Sequence, residues 1–556
     1  MKQSGTTLQF RVLYRQFLFR LMDVELLSSS AGGDASGLLG QCGALLISMS
    51  VLLSWFAMPV GGSIRRQGTA ESLWAAERFL ISLTMLVVGI FALLSWDSAF
   101  PDRRDVLVLS PLPIRARTLF AAKVAAAASA LGLVVAALHS LSGFAWPLAL
   151  VPDDAGFLGT LRFAAAFWVV LTASGAFLYC LVLGLQGVAA QLPRRWYLRV
   201  SPALQIGIFM FLLGLFFFQP SASAWMPTYW FTGLLSELSG AFPAQSHAVM
   251  APLAHRALAS LPIAVTVAGG AFLLSYLRTL RKIVEEPDVV GGARTAIRLP
   301  RFGGAVRTAL AHFVIRTLLR SRQHRVILSF YLGGGFAVAV VYLMGARDMM
   351  HLSWMDILRQ VNFPILVATV VMLCASWLGA RTAFSLPLDL RANWVFRVTP
   401  PAGSRACLAS VRRAMLVLSV LPVLAISAAV LLWFWPFAIV VKHLLLLGLL
   451  GSVLVDLSLK DFRKIPFTCS YLPGKSKVHM IFWLGVIPVV IAIHKTARLE
   501  LEAMGDALSY GAMLAGVAAA AVGARWIANR NANRAETEMR FEDTPSDELV
   551  MLGLNG

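Results

Sequence analysis

A few stretches of this 556-residue chain have residue types that could handle a nucleotide or a proton. Gly474, Lys475 and Ser476 have the ending of a phosphate loop, in which backbone N–H groups wrap the phosphates and the Lys reaches them. That loop needs a glycine five positions before Gly474, and Cys469 stands there. The Leu-Ser-Gly triplets at 141–143 and 238–240 lack the other residues of a nucleotide-binding signature. The acid pairs Asp153/Asp154 and Glu285/Glu286 fall in polar stretches between apolar runs. Asp456 is the one carboxylate read at the end of an apolar run, beside Lys460 and Asp461, and is expected to be an interfacial group. The five cysteines (Cys42, Cys180, Cys374, Cys407, Cys469) and nine histidines show no pairing at metal-ligand spacing. His139, His443 and His494 stand near the ends of apolar runs and are expected to be structural. The residues predict a protein that is not an enzyme and binds no cofactor itself.

The concentrated polar chemistry lies in two elbows that each follow an apolar run. The first holds Phe100, then Asp102, Arg103, Arg104 and Asp105, then Pro111, Leu112 and Pro113. The second holds Phe384, then Pro387, Asp389, Arg391 and Arg397, then Pro400 and Pro401. Proline fixes the local backbone, and mixed charges beside apolar teeth such as Leu107 and Leu109 suit a docking surface for another protein.

The elements that carry these elbows are read from composition. Mean hydropathy is +0.74, with 58% hydrophobic and 14% charged residues, far from the balance of a soluble domain. A bilayer core needs roughly 20 apolar residues per helix, and about twelve such runs are present. In the first half they are 38–60, 80–96, 118–138, 163–190, 202–218 and 259–277. In the second they are 327–345, 363–380, 414–435, 437–457, 478–494 and 507–524. With the N-terminus inside, most of the 48 Lys and Arg fall in alternate inward loops, as the positive-inside rule requires. The net charge of +20 is therefore a topology signal with some attraction for membrane lipids, and no soluble basic domain exists to bind nucleic acid.

The fold class expected is an all-α polytopic membrane protein, with about twelve transmembrane helices in two parallel six-helix repeats. Residues 1–290 form the first half, with a basic amphipathic helix near Leu8–Arg20 that can lie in the membrane interface. Residues 291–528 form the second, with a linker and a matching helix at Leu310–Arg320, where Leu310, Phe313, Val314 and Leu318 share one face. Residues 529–556 are an acidic tail expected to be disordered. Lys123 and Arg412 stand at matching places near the start of each third span and are expected to snorkel inward. The long loop 219–256, aromatic at 225–231 and again at 241–243, is expected to be either a pair of short helices partly re-entering the outer leaflet or a simple surface loop.

Phe100 to Asp105, Leu109 to Arg115, and Lys123 together resemble the loop between the second and third spans of ABC-2-type exporter permeases, the membrane subunits of ATP-binding-cassette exporters. That resemblance implies a half-unit with an N-terminal interfacial helix, six spans, a coupling element after span two and short outer helices between spans five and six. It further implies two cytoplasmic ABC ATPase subunits as partners, which use the ATP, and a bacterial inner-membrane protein with both termini cytoplasmic. The departure from the family is fusion of two half-units with unequal elbows. A major-facilitator-like secondary transporter and a non-transport membrane scaffold are the alternatives, the former because it shares two parallel six-span halves.

Overall fold

The computed structural model describes residues 2–22, 35–67, 69–99, 114–152, 155–217, 225–240, 244–285, 303–350, 353–388, 393–398, 404–460, 465–469 and 478–534. Among them the regular secondary structure is helical, with no strand, and eleven helices are long and apolar enough to cross a membrane. The chain is an all-α polytopic membrane protein. It forms two compact units, one of Met1–Glu25 with Asp34–Gly292, the other of Leu26–Gly33 with Ala293–Gly556.

In unit 1, α1 (Lys2–Met22) precedes α2 (Ala35–Gln67), α3 (Ala70–Leu94), a single turn α4 (Trp96–Ala99) and α5 (Ala116–Leu138). A short α6 (Ser142–Leu150) leads to α7 (Gly156–Ala189), α8 (Arg194–Phe217), α9 (Pro227–Ser239) and α10 (Ala244–Glu285). The centre is α3, which packs on α7, α8 and α9. Leu80, Ile81, Met85 and Val88 are removed from solvent there.

Helix α1 packs on α5. It runs antiparallel along α5, with Leu13, Phe17 and Leu21 buried against Ala122 and Ala126, and the Tyr14 hydroxyl donates to Ser129 Oγ at 2.9 Å. Lys123 does not snorkel: it is buried, its ammonium 5.4 Å from the Phe17 ring. The short alanines of α5 allow this close approach.

Unit 2 begins with α11 (Ala305–Arg320), α12 (Arg322–Met350), α13 (Trp354–Arg359), α14 (Phe363–Ser385) and α15 (Trp394–Val398). Then come α16 (Ser404–Met415), a π-turn (Leu416–Val420), α17 (Leu421–Leu431), α18 (Phe437–Leu459), α19 (Val478–Ala503) and α20 (Ala507–Arg534). The expected face of α11 is the buried one, with Leu310, Val314 and Leu318 packed in a core that includes Cys407, Leu408 and Val411 of α16. Pro422 explains the π-turn. It has no N–H to give the Leu418 carbonyl and would crowd it, and the helix absorbs this by an i+5 bond from Leu421 N to Leu416 O. Ser376 of α14 donates to the Ser419 carbonyl within that turn, at 2.9 Å. The expected span at 478–494 is helical within α19, although it is not among the eleven.

Candidate coupling site at the elbow bases

At the base of the first elbow the chain leaving α3 is pinned at three points. Gln205 Nε2 of α8 donates to Leu93 O at 2.9 Å. Gln186 Nε2 of α7 donates to Trp96 O, and the Trp96 indole N–H donates to Ser201 Oγ of α8 at 3.1 Å. Trp96, Gln186, Ser201 and Gln205 are all buried. A buried amide left unpaired is expensive, so these bonds fix where the elbow starts. The elbow's own candidate residues, Asp102, Arg103, Arg104, Asp105, Pro111, Leu112 and Pro113, lie outside the described residues.

The base of the second elbow is pinned in a comparable way. His324 of α12 donates from Nε2 to Leu386 O at 3.2 Å, its Nδ1 accepting from the Ser321 hydroxyl at 2.7 Å. The carbonyl acceptor requires the Nε2–H tautomer. Pro387 is buried and Leu388 exposed. Two backbone bonds then clamp the elbow to the segment after α18: Phe467 N donates to Phe384 O at 3.2 Å and Leu388 N to Phe467 O at 3.0 Å. Asn393, also buried, donates to Thr468 O at 2.7 Å.

Phe467 holds this joint. Its φ of 67° is left-handed, a conformation that costs a residue with a Cβ roughly 1–2 kcal/mol. The ring is locked against Phe313 of α11, His324 and Phe384 at centroid distances of 6.2, 4.8 and 5.5 Å. Phe396 of α15 packs on Phe313 at 5.7 Å. One aromatic cluster thus joins α11, α12, the end of α14 and the elbow helix. Of the second elbow's expected residues, Pro387 sits in this joint and Arg397 lies on α15, while Asp389 and Arg391 fall outside the described residues. None of Gln186, Ser201, Gln205, His324 or Phe467 stood out in the sequence. Gln186 and Gln205 are polar residues inside apolar runs, a signal that points to them, whereas Ser201 and His324 fall just before such runs.

Several ionisable groups are buried within the helices. Asp456 of α18 is buried within the protein. Arg412 grips it with one guanidinium edge, Nη2 to Oδ2 at 2.8 Å and Nε to Oδ1, and Nη2 also donates to Ser452 Oγ at 3.1 Å. Arg412, too, fails to snorkel, because a carboxylate lies within reach. In α19 Glu500 accepts from His443 of α18 at 2.7 Å, both groups being buried. His443 Nε2 and Glu500 Oε2 have no partner. Glu77 is fully buried in α3, because that helix starts at Ala70 and not near Leu80. His139 is structural as expected, bonded to Thr84 at 2.8 Å and Ser142 at 3.0 Å.

Beyond the elbows, α9 is a buried 13-residue helix, wedged against α10 and α7 with Phe231 and Leu235 fully enclosed. In unit 2, Phe363, Val490, Ile491, His494, Lys495, Arg498, Leu501 and Glu502 line a cavity of about 710 Å³. No family model, curated protein or solved structure matches the chain.

Proposed function

We propose that this chain is the membrane-spanning permease subunit of an ABC transporter, an exporter driven by separate ATPase subunits that dock on the two elbows. The observation that carries the reading is the pinning of both elbow bases: in each unit a side chain from another helix bonds the last carbonyls of the second span. A segment meant to pass force from a docked subunit into a helix bundle has to be stiff at its root, and these are. The aromatic joint at Phe467 extends that stiffness to α11 and α12. The buried α9, between spans five and six of unit 1, agrees with the outer helices that the ABC-2 resemblance implies. The chain itself binds no nucleotide in this reading. Its two ATPase partners do, at an inner membrane with both chain termini cytoplasmic.

Co-expression with candidate ABC ATPases tests the proposal. A stable complex and ATP hydrolysis that rises in the presence of the permease are expected. Failure of every candidate to co-purify, with hydrolysis unaffected, would sink it.

The buried carboxylates favour a second reading, a gradient-driven secondary transporter, because ionisable groups inside spans commonly mark ion pathways. Transport into vesicles free of ATP, abolished by an uncoupler, would establish that reading in place of the first.

A further inference from the structure

Glu77 lies about 10 Å along α3 from its first residue, at a rise of ~1.5 Å per residue, inside a helix long and apolar enough to span. It is fully buried, and both its carboxyl oxygens lack a hydrogen-bond partner. Moving an unpaired carboxylate into such surroundings costs it most of its solvation, a penalty that proteins avoid by neutralising the group.

Among the described residues, no charged or titratable side chain of the neighbouring elements bonds Glu77. On α3 itself, Arg78 turns to α9, donating to the Tyr229 hydroxyl with its guanidinium 4.5 Å from the ring. Glu71 lies in the first turn of α3, and Glu237 in the last turns of α9. On α7, Arg162 donates to Leu238 O at 2.8 Å, while Tyr179 and Cys180 lie further along. On α5, Lys123 faces Phe17, Arg117 stands in the first turn, and His139, just past the end, is occupied at both nitrogens. Arg66 of α2 donates to Gly62 O, and Arg65 stands beside it. The ionisable residues of α8 (Arg194, Arg195, Tyr197, Arg199) and Asp97 of α4 belong to the elbow end of the unit, opposite the start of α3. Two donors in the elements packed here, Trp74 Nε1 one turn before Glu77 and Thr228 Oγ1 in the first turn of α9, are also buried and do not reach the carboxyl.

We propose that Glu77 is a proton-binding site within the second span, its carboxyl protonated at neutral pH while α3 stays packed on α9, and exchanging the proton with water only when that packing opens. The ligand is a proton, because no described side chain bonds the enclosed carboxyl, which has no contact with solvent. The proposal rests on neither reading of the driving force.

The experiment uses the full chain in detergent at neutral pH, with the apolar reagent dicyclohexylcarbodiimide and infrared spectroscopy. The reagent takes the carboxyl proton on nitrogen, the carboxyl oxygen adds to its central carbon, and acyl migration leaves a stable N-acylurea bearing the whole reagent. Peptide mass spectrometry is expected to find this adduct on Glu77, and a water-soluble carbodiimide is expected to leave Glu77 unmodified. A protonated-carboxyl band present at neutral pH should vanish in Glu77→Gln, or move in Glu77→Asp should the first variant fail to fold. An identical band in wild type and variant, or equal modification of Glu77 by the water-soluble reagent, would overturn the proposal.

Discussion

Arg412 and Asp456 show what one residue can reveal about a buried charge. Removing one member of a buried ion pair strands the other, and this typically costs about 3–5 kcal/mol. Asp456→Asn and Arg412→Met should each lower the unfolding temperature strongly, whereas the double variant should recover most of the loss. Thermal unfolding of the four proteins in one detergent checks this, and additive losses would refute the coupling. Asp506 offers a pH test outside the spans. The Ser509 hydroxyl, then the Ser509 and Leu508 N–H groups, hold its carboxyl below the ordinary value. A carboxyl depressed by folding stabilises the protein above its unfolded pKa, near 3.9. That contribution is lost as pH falls through the lower folded value. Asp506→Ala should therefore be less stable than wild type at neutral pH, with the gap closing in acid, and a gap independent of pH would contradict it. Asp456 was visible in the sequence as a carboxylate at a span end. Its partner was not, since Arg412 stands 44 residues earlier and only helix packing joins the two.

At the level of elements, apolar runs located the helices well and their ends poorly. Helix α3 starts at Ala70 and α10 at Ala244, both well before the expected 80 and 259. Helices end where backbone bonding stops, whereas hydropathy marks only the part that lipid would tolerate. A start at Ala70 places Glu77 inside the helix, where a span beginning at 80 leaves it out. Helix α9 provides a sharp test of packing. A Cβ built on Gly233 would stand 2.7 Å from Met250 O and Leu253 Cβ and 2.9 Å from Ala254 N. Backbone atoms of α10 cannot yield, so Gly233→Ala should destabilise the protein by about 1–3 kcal/mol, the usual range for overpacking. Gly207→Ala in α8, where the Cβ meets open space, should change little. Comparable melting of the two variants would mean that α9 is not seated as described.

Across the whole chain, an even number of spans per unit would return each linker to its starting side. Single cysteines placed at residues 2, 295 and 545 of a cysteine-free variant should thus share one accessibility to an impermeant maleimide. Those at 68, 154 and 505 should show the opposite. A mixed pattern within either group would reject two six-span halves. The elbows supply the second whole-chain test. Their charges were legible in sequence, but the pins that stiffen them were not, since Gln186 and His324 become informative only once their helices lie beside the second spans. The first elbow carries the denser charge cluster, so reversing Arg103 and Arg104 should uncouple ATP use from transport more severely than reversing Arg391 and Arg397. Exposed charge pairs are individually weak, about 0–1 kcal/mol, which is why paired reversals are specified. Transport per ATP hydrolysed is the quantity to measure, at matched expression. Equal losses would remove the asymmetry, and full coupling in both would remove the elbows' role.

The seat of α1 has a consequence in time. Leu13, Phe17 and Leu21 are buried against Ala122 and Ala126 of α5, so α1 has no docking face until the third span is synthesised. At ~5–20 residues per second, roughly 100 intervening residues mean that an apolar helix waits on the order of 5–20 seconds for its partner. Helix α11 faces the same delay before α16. In each unit the leading helix is therefore a late joiner, and a ribosome stalled between the second and third spans should leave α1 open to protease and to chaperones.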